Sequence, residues 1–137
     1  MFGKSKEHTP MKRIDSLIGT GTTLTGNIDF TGGLRIDGAV LGNVHASNGE
    51  ASTLVISEQA KVAGEIHVSH LVINGEVEGP VHASDYLELQ PKARVKGDIH
   101  YKRLEMHVGA AVEGRLMVIE GQAQGSVVEL RPAGQTG

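Results

Sequence analysis

The chain contains no cysteine and no tryptophan among its 137 residues, and its only aromatic side chains are Phe2, Phe30, Tyr86 and Tyr101. Without cysteine, neither a disulfide framework nor a thiolate metal site is available, and a reducing compartment fits. Without large rings, a conventional globular sandwich loses the side chains that usually supply its buried area. The interior must be thin and filled by Val, Ile, Leu and Ala. No apolar run approaches transmembrane length, and Met1-Phe2-Gly3-Lys4-Ser5-Lys6 lacks the apolar stretch of a signal peptide. The expectation is a soluble cytoplasmic protein.

What is abundant is glycine, with 19 residues, many of them in one recurring element, V-x-G-x-[IV]. It reads Leu24-Thr25-Gly26-Asn27-Ile28, Val40-Leu41-Gly42-Asn43-Val44, Val62-Ala63-Gly64-Glu65-Ile66 and Val77-Glu78-Gly79-Pro80-Val81. Val95-Lys96-Gly97-Asp98-Ile99 and Val112-Glu113-Gly114-Arg115-Leu116 complete the set. The six glycines are 16, 22, 15, 18 and 17 residues apart. A second element, L-x-[IL], follows five of them, at Leu34/Ile36, Leu54/Ile56, Leu71/Ile73, Leu87/Leu89 and Leu104/Met106. An interval of this size marks a solenoid, in which each repeat is a coil that buries its apolar side only against its neighbours.

Alternation of apolar and polar residues from Ile14 to about Val118 is the strand signal, and helical spacing is not sustained. Seventeen or so residues per coil divide into three short strands, turning at Gly32-Gly33, Asp37-Gly38, Asn74-Gly75 and Gly109. The pattern predicts an all-β, three-sided parallel β-helix of about six rungs. At ~4.8 Å per rung the rod is roughly 29 Å long, and the crossover rule favours a right-handed coil. Parity places the repeat glycine inward, where it lets the coil narrow or bend. Residues 46–52 form an insertion that should bulge at a corner. Pro80 cannot donate to a ladder, so a missing bond or a bend is expected there.

Residues 1–13 read as a disordered basic arm, 14–120 as the β-helix core, and 121–137 as a disordered tail. The net charge of −3 conceals an arm of +3 (Lys4, Lys6, Lys12 and Arg13 against Glu7) on a body of −6. This argues against wholesale nucleic-acid binding and leaves the arm free to meet an anionic surface.

Four of the seven histidines, His45, His67, His82 and His100, stand three residues after the repeat glycine on consecutive rungs. They predict an outward ladder of imidazoles. A metal site is the weaker reading, because a straight ladder offers parallel rather than converging ligand vectors. No Ser-His-Asp grouping is evident, no phosphate loop and no H-E-x-x-H motif. Gly19-Thr20-Gly21-Thr22-Thr23 lacks the third glycine and the helix of a phosphate cradle. Glu76/Glu78 has the spacing of a solvated strand face. Lys92, Arg94 and Lys96, with Lys102 and Arg103 beyond, form a basic stripe that reads as a solvated face near acidic rungs. No catalytic residue, cofactor or small-molecule substrate is expected. The alternative is a β-helical metal-dependent enzyme of acyltransferase or carbonic-anhydrase type using the histidines. Such helices carry stricter hexapeptide repeats, and their catalytic histidines meet across a trimer interface; this chain departs on both counts.

The ends of the rod are more informative. Neither tail offers an amphipathic helix to cap a terminal rung. Rung one would expose Leu24, Ile28 and Phe30, and rung six Leu116, Val118 and Ile119, each with backbone groups that recruit another chain. End-to-end stacking into a filament is the expectation, with the chain itself as partner.

Ile18-Gly19-Thr20-Gly21-Thr22-Thr23-Leu24-Thr25-Gly26-Asn27-Ile28, with Gly33-Leu34-Arg35-Ile36-Asp37-Gly38 and Val40-Leu41-Gly42-Asn43-Val44, strongly resembles the bactofilins in order and spacing. The likeness covers about residues 14–118. It implies a right-handed three-sided β-helix between disordered tails, polymerising end to end without nucleotide. It also implies a scaffold at the inner face of the cytoplasmic membrane for cell-wall-modifying enzymes and cell shape. The family's short N-terminal membrane-targeting segment resembles Met1-Phe2-Gly3-Lys4-Ser5-Lys6. On that reading Met1 and Phe2 insert while Lys4 and Lys6 meet anionic inner-membrane lipid.

Overall fold

The computed structural model describes residues 14–47 and 51–119. Each repeat resolves into three strands, one on each side of the coil. The first face holds β1 (Ser16–Ile18), β4 (Gly32–Ile36), β7 (Ser52–Ile56), the second halves of β9 (Ile66–Ile73) and β11 (Val81–Leu89), and β14 (Leu104–Met106). The second face stacks β2 (Thr23–Thr25), β5 (Ala39–Leu41), β8 (Lys61–Ala63), β10 (Glu76–Glu78), β12 (Arg94–Lys96) and β15 (Ala111–Glu113) as a 6-stranded sheet. The third holds β3 (Ile28–Phe30), β6 (Val44–Ala46), the first halves of β9 and β11, β13 (Ile99–Tyr101) and β16 (Leu116–Val118). Neighbouring strands pair in parallel throughout. The result is the three-sided β-solenoid of six rungs that the repeat predicts.

In-register stacking turns the repeat into columns. Leu34, Leu54, Leu71 and Leu87 share one inward column of the first face, and Ile36, Ile56, Ile73 and Leu89 share the next. Val40, Val62, Val77 and Val95 fill the second face, and Val44, Ile66, Val81 and Ile99 the third. All of these are at most 3% exposed. Full burial of such a side chain contributes about 1.5–3 kcal/mol. Small and branched residues suffice because each layer is sealed by the layers above and below it.

The repeat glycines do not point inward, as strand parity had placed them. They lie at the corner between the second and third faces, with φ of +128° to +158°, so the chain turns there and strand parity is reset. A Cβ on Gly42, Gly64, Gly79, Gly97 or Gly114 would strike the carbonyl oxygen of the repeat glycine one rung earlier. The side-chain direction is therefore along the rod axis, and only hydrogen fits.

Beside this column a second one forms. The Asn43 N–H donates to Asn27 Oδ1 (2.9 Å), the Glu65 N–H to Asn43 Oδ1 (2.9 Å), and the Arg115 N–H to Asp98 Oδ1 (3.0 Å). Pro80 occupies this same position, and here the expected break is corrected. The ladder runs through the residues on either side: the Gly79 N–H donates to Lys96 C=O and the Val81 N–H to Asp98 C=O, while the Pro80 C=O accepts from Ile66. At Asn43, Glu65 and Arg115 this backbone N–H donates to a side chain of the rung before, so proline gives up a contact of that kind and no ladder bond.

The expected turns at Asp37-Gly38, Asn74-Gly75 and Gly109 separate the first and second faces. Gly32-Gly33 lies within β4 instead, with the bend at its start, where Gly32 has φ +77°. The insertion falls between β6 and β7, at the corner of the third and first faces; residues 48–50 lie outside the described residues. Its far side is tied down by serines: the Ser52 N–H donates to Ser69 Oγ (2.8 Å), and Ser69 Oγ donates to Ser52 C=O (2.8 Å).

The glycine column can be tested by comparing two positions that both have positive φ, +128° at Gly26 and +157° at Gly64. Ala at residue 26 meets nothing within 4 Å, whereas at residue 64 it meets the Gly42 backbone. Gly64→Ala is expected to cost about 1–3 kcal/mol more than Gly26→Ala, read from urea unfolding under monomeric conditions. Equal losses would mean that backbone strain alone, not the close approach of rungs, selects glycine.

Candidate functional site

Among the described residues, columns sealed in the middle of the rod are open at its ends. On the third face Val44, Ile66, Val81 and Ile99 are at most 1% exposed, while Leu116, the last member of that column, is 40% exposed and Val118 is 55% exposed. Leu24, Ile28 and Phe30 are half-buried on the first layer, and so is Ile119, whose N–H donates to Tyr101 C=O. Exposed large apolar side chains also include Ile14 and Leu17 in the first rung and Met106 and Val108 in the last. The glycine repeat does not single these out, because they belong to the L-x-[IL] element or flank it. Met1, Phe2, Lys4 and Lys6 lie outside the described residues.

The histidines form the ladder that their spacing predicts. His45, His67, His82 and His100 are successive register partners, preceded by Asp29 and followed by Met117. Ring centroids are 5.0, 5.1 and 5.8 Å apart, the first pair edge-on and the other two stacked. Carboxylates flank the lower half: Asp29 Oδ1 is 4.0 Å from His45 Nδ1, and Glu65 Oε2 is 2.5 Å from His67 Nε2. The hydrogen bond to His67 holds the Glu65 carboxyl below its ordinary range. Burial, followed by the charges of His67 and His100, pushes His82 below the ordinary histidine range.

Four of the five residues of the basic stripe stand beside acidic ones, beginning with Lys92, whose Nζ is 3.5 Å from Glu58 Oε2. On the second face Lys61, Glu76 and Arg94 follow one another in one outward column, and Glu78, Lys96 and Glu113 in the other. Each cation therefore stands beside an anion in register, an arrangement worth a few tenths of a kcal/mol to about 1 kcal/mol per pair. Arg103 is engaged as well, 3.3 Å from Asp85 and over the Tyr86 ring at 5.3 Å.

Two groupings escape the sequence reading. Ser69, His70 and Asp85 do come together, with Ser69 Oγ 3.1 Å from His70 Nδ1 and His70 Nε2 3.2 Å from Asp85 Oδ2. This corrects the expectation that no such grouping converges. The hydroxyl is nevertheless engaged on both sides by the Ser52 backbone in mid-strand, which is a structural role. Second, Glu88, Glu105 and His107 place their ligand atoms within 4.8 Å of one another. Glu88 and Glu105 are 17 residues apart, one coil, and that interval was the available signal.

Parallel coils, an aliphatic core and apolar columns left open at the ends of the described rod define a polymer-forming β-solenoid. The family model described as "Bactofilin: Polymer-forming cytoskeletal" matches residues 16–117, and the chain belongs to that family. It is 29% identical over 118 residues to Bactofilin BacO of Myxococcus xanthus, covering 82% of this chain and 90% of the relative. Bactofilin BacP of the same organism is 26% identical over 113 residues; the match covers 82% of this chain but 45% of BacP. Among solved structures, a bactofilin from Thermus thermophilus, seen in double helical filaments by cryo-EM, aligns with TM-score 0.70 and 28% identity, over 76% of this chain and 99% of that one. The cytoskeletal bactofilin BacA, solved by solid-state NMR, aligns with TM-score 0.67 and 28% identity, over 79% and 99%. Like its family, the chain is a cytoskeletal protein that associates with itself. No helix among the described residues is long and apolar enough to cross a membrane.

The ladder carries a pH dependence whose sign is fixed. His82 takes up a proton less readily in the folded than in the unfolded chain. Its contribution to stability is thus fully present above about pH 6.5 and is lost as pH falls through the lower folded value. The melting temperature should fall more between pH 7.5 and pH 5 in the native protein than in His82→Asn. Identical pH profiles for the two would remove the ladder as the cause.

Proposed function

We propose that the protein is a scaffold whose rods join end to end, without nucleotide, through Leu24, Ile28 and Phe30 at one end and Leu116, Val118 and Ile119 at the other. The observation that carries this reading is the contrast within one column: the position closed in the middle rungs is 40% exposed at Leu116. Stacking would return it to the environment of Ile99. Filaments then lie along the inner face of the cytoplasmic membrane, held by Met1 and Phe2 in the lipid and Lys4 and Lys6 on anionic headgroups. Each arm contributes little alone: about 1.5–3 kcal/mol per apolar side chain and about 1 kcal/mol per lysine. Repetition along a filament supplies the avidity. There the polymer organises cell-wall-modifying enzymes and cell shape. The resemblance of the core and of the arm to bactofilins supports this placement.

Negative-stain microscopy and pelleting of nucleotide-free protein test the polymer. Leu116→Arg and Phe30→Arg should each raise the concentration needed for assembly by about tenfold to a hundredfold, the equivalent of one lost apolar burial. Their circular dichroism should stay that of the β-helix. Full-length filaments from both variants at the native threshold would place the contact elsewhere. Co-pelleting with anionic vesicles, with and without residues 1–6, tests the arm separately.

A further inference from the structure

Charge on the flank of the rod follows a rule with one exception. In the strand register pairs of the described residues, Lys61, Glu76, Arg94 and Glu78, Lys96, Glu113 alternate in sign. Glu88 on β11 and Glu105 on β14, by contrast, are direct partners of like charge, an arrangement that is destabilising unless a cation intervenes. The column beside them ends in His107, whose backbone N–H donates to Leu89 C=O. Its imidazole Nε2 lies 2.9 Å from Glu88 Oε2 and 3.4 Å from Glu105 Oε2.

We propose that Glu88, Glu105 and His107 form a binding site for a divalent transition metal ion such as Zn2+, bridging the last two rungs of the first face. Ions of this kind bind carboxylate oxygen and imidazole nitrogen at about 2.0–2.2 Å, so neighbouring ligand atoms around one ion stand roughly 3–3.5 Å apart. Of the two separations at His107, the 3.4 Å one lies in that range and the 2.9 Å one just below it. The donor set of one nitrogen and two oxygens suits zinc and its neighbours rather than calcium or magnesium, which prefer oxygen alone.

The outer partners are those of a ligand site. The Tyr86 hydroxyl donates to Glu105 Oε1 at 2.7 Å and so turns Oε2 of the same carboxylate toward His107. Gln90 Nε2 donates to Glu88 Oε2 at 3.3 Å. Such second partners orient metal ligands and set their affinity. Glu88 is the least open of the three, with its side chain 21% exposed against 37% for His107 and 55% for Glu105, so the remaining coordination positions face water. The histidine ladder is separate: its imidazoles follow one another up the third face and do not converge.

The experiment is a Zn2+ titration by calorimetry of full-length protein purified without an affinity tag, beside Glu88→Gln, His107→Asn and Tyr86→Phe. Any zinc taken up by the ladder is common to all four and cancels in the comparison. The native protein should bind one equivalent more than Glu88→Gln and His107→Asn, and Tyr86→Phe should bind that equivalent about tenfold more weakly. The His107 Nε2 resonance in long-range proton–nitrogen spectra should shift in step with that equivalent. Equal zinc uptake by the native protein and both ligand variants, or a His107 nitrogen that does not respond, would overturn the site. The cluster would then be an ion pair in which the His107 imidazolium serves as the cation. Circular dichroism confirms that each variant keeps its fold, and either ligand variant alone suffices for the comparison.

Discussion

Everything in this molecule depends on the close approach of backbone to backbone at one corner. Five repeat glycines each sit against the carbonyl of the glycine one rung earlier, where a methyl group has no room. That contact fixes how far each coil advances and which residue lies above which. Once register is fixed there, the columns follow: leucines and isoleucines on the first face, valines on the second, and a mixed aliphatic column on the third. A slip by one residue would expose each of these columns, since side chains alternate across a strand. The glycine corner and the aliphatic columns therefore enforce the same register.

Because this register was written into the spacing of Gly26 to Gly114, the fold was legible in the sequence to an unusual depth. Six coils, three faces, the histidine ladder and the corners at Asp37, Asn74 and Gly109 could be read from residue types and intervals. What could not be read was direction at the corner. Parity counting carries a strand rule through a residue at which the strand ends, so Gly64 was placed inward when it points along the axis. Pro80 was misjudged for a related reason. The loss of an N–H matters only where the ladder uses it, and the ladder bonds of Gly79 and Val81 leave the position between them unused.

The candidate sites divide along the same line. The open ends were visible as soon as rungs were counted, since Leu116 differs from Ile99 in having no rung beyond it among the described residues. The cluster of Glu88, Glu105 and His107 was invisible to motif reading because its members are contributed by two rungs and two columns. In a solenoid, sites are assembled across one coil length, so the informative offset is about 17 residues rather than the two, three or four of a local motif. Ser69, His70 and Asp85 teach the converse. Residue types and distances suited to nucleophilic chemistry arise here from two serines closing a corner beside an insertion, and the hydrogen bonds to the Ser52 backbone decide between the readings.

Flank and end also differ in the kind of interaction they offer. On the second face cations and anions alternate in register within the same rod, so like charges are kept apart along this flank. The ends present the opposite: aliphatic side chains with no charge among Leu24, Ile28, Leu116 and Val118, and strands with one ladder partner instead of two. In the proposed end-to-end joint, extension of the rod would gain apolar burial and backbone ladder bonds together. Its free energy would come from the same columns that fold the chain, so that the proposed assembly would need no hydrolysable ligand and its threshold would be set by how well the end of one molecule fits the end of the next.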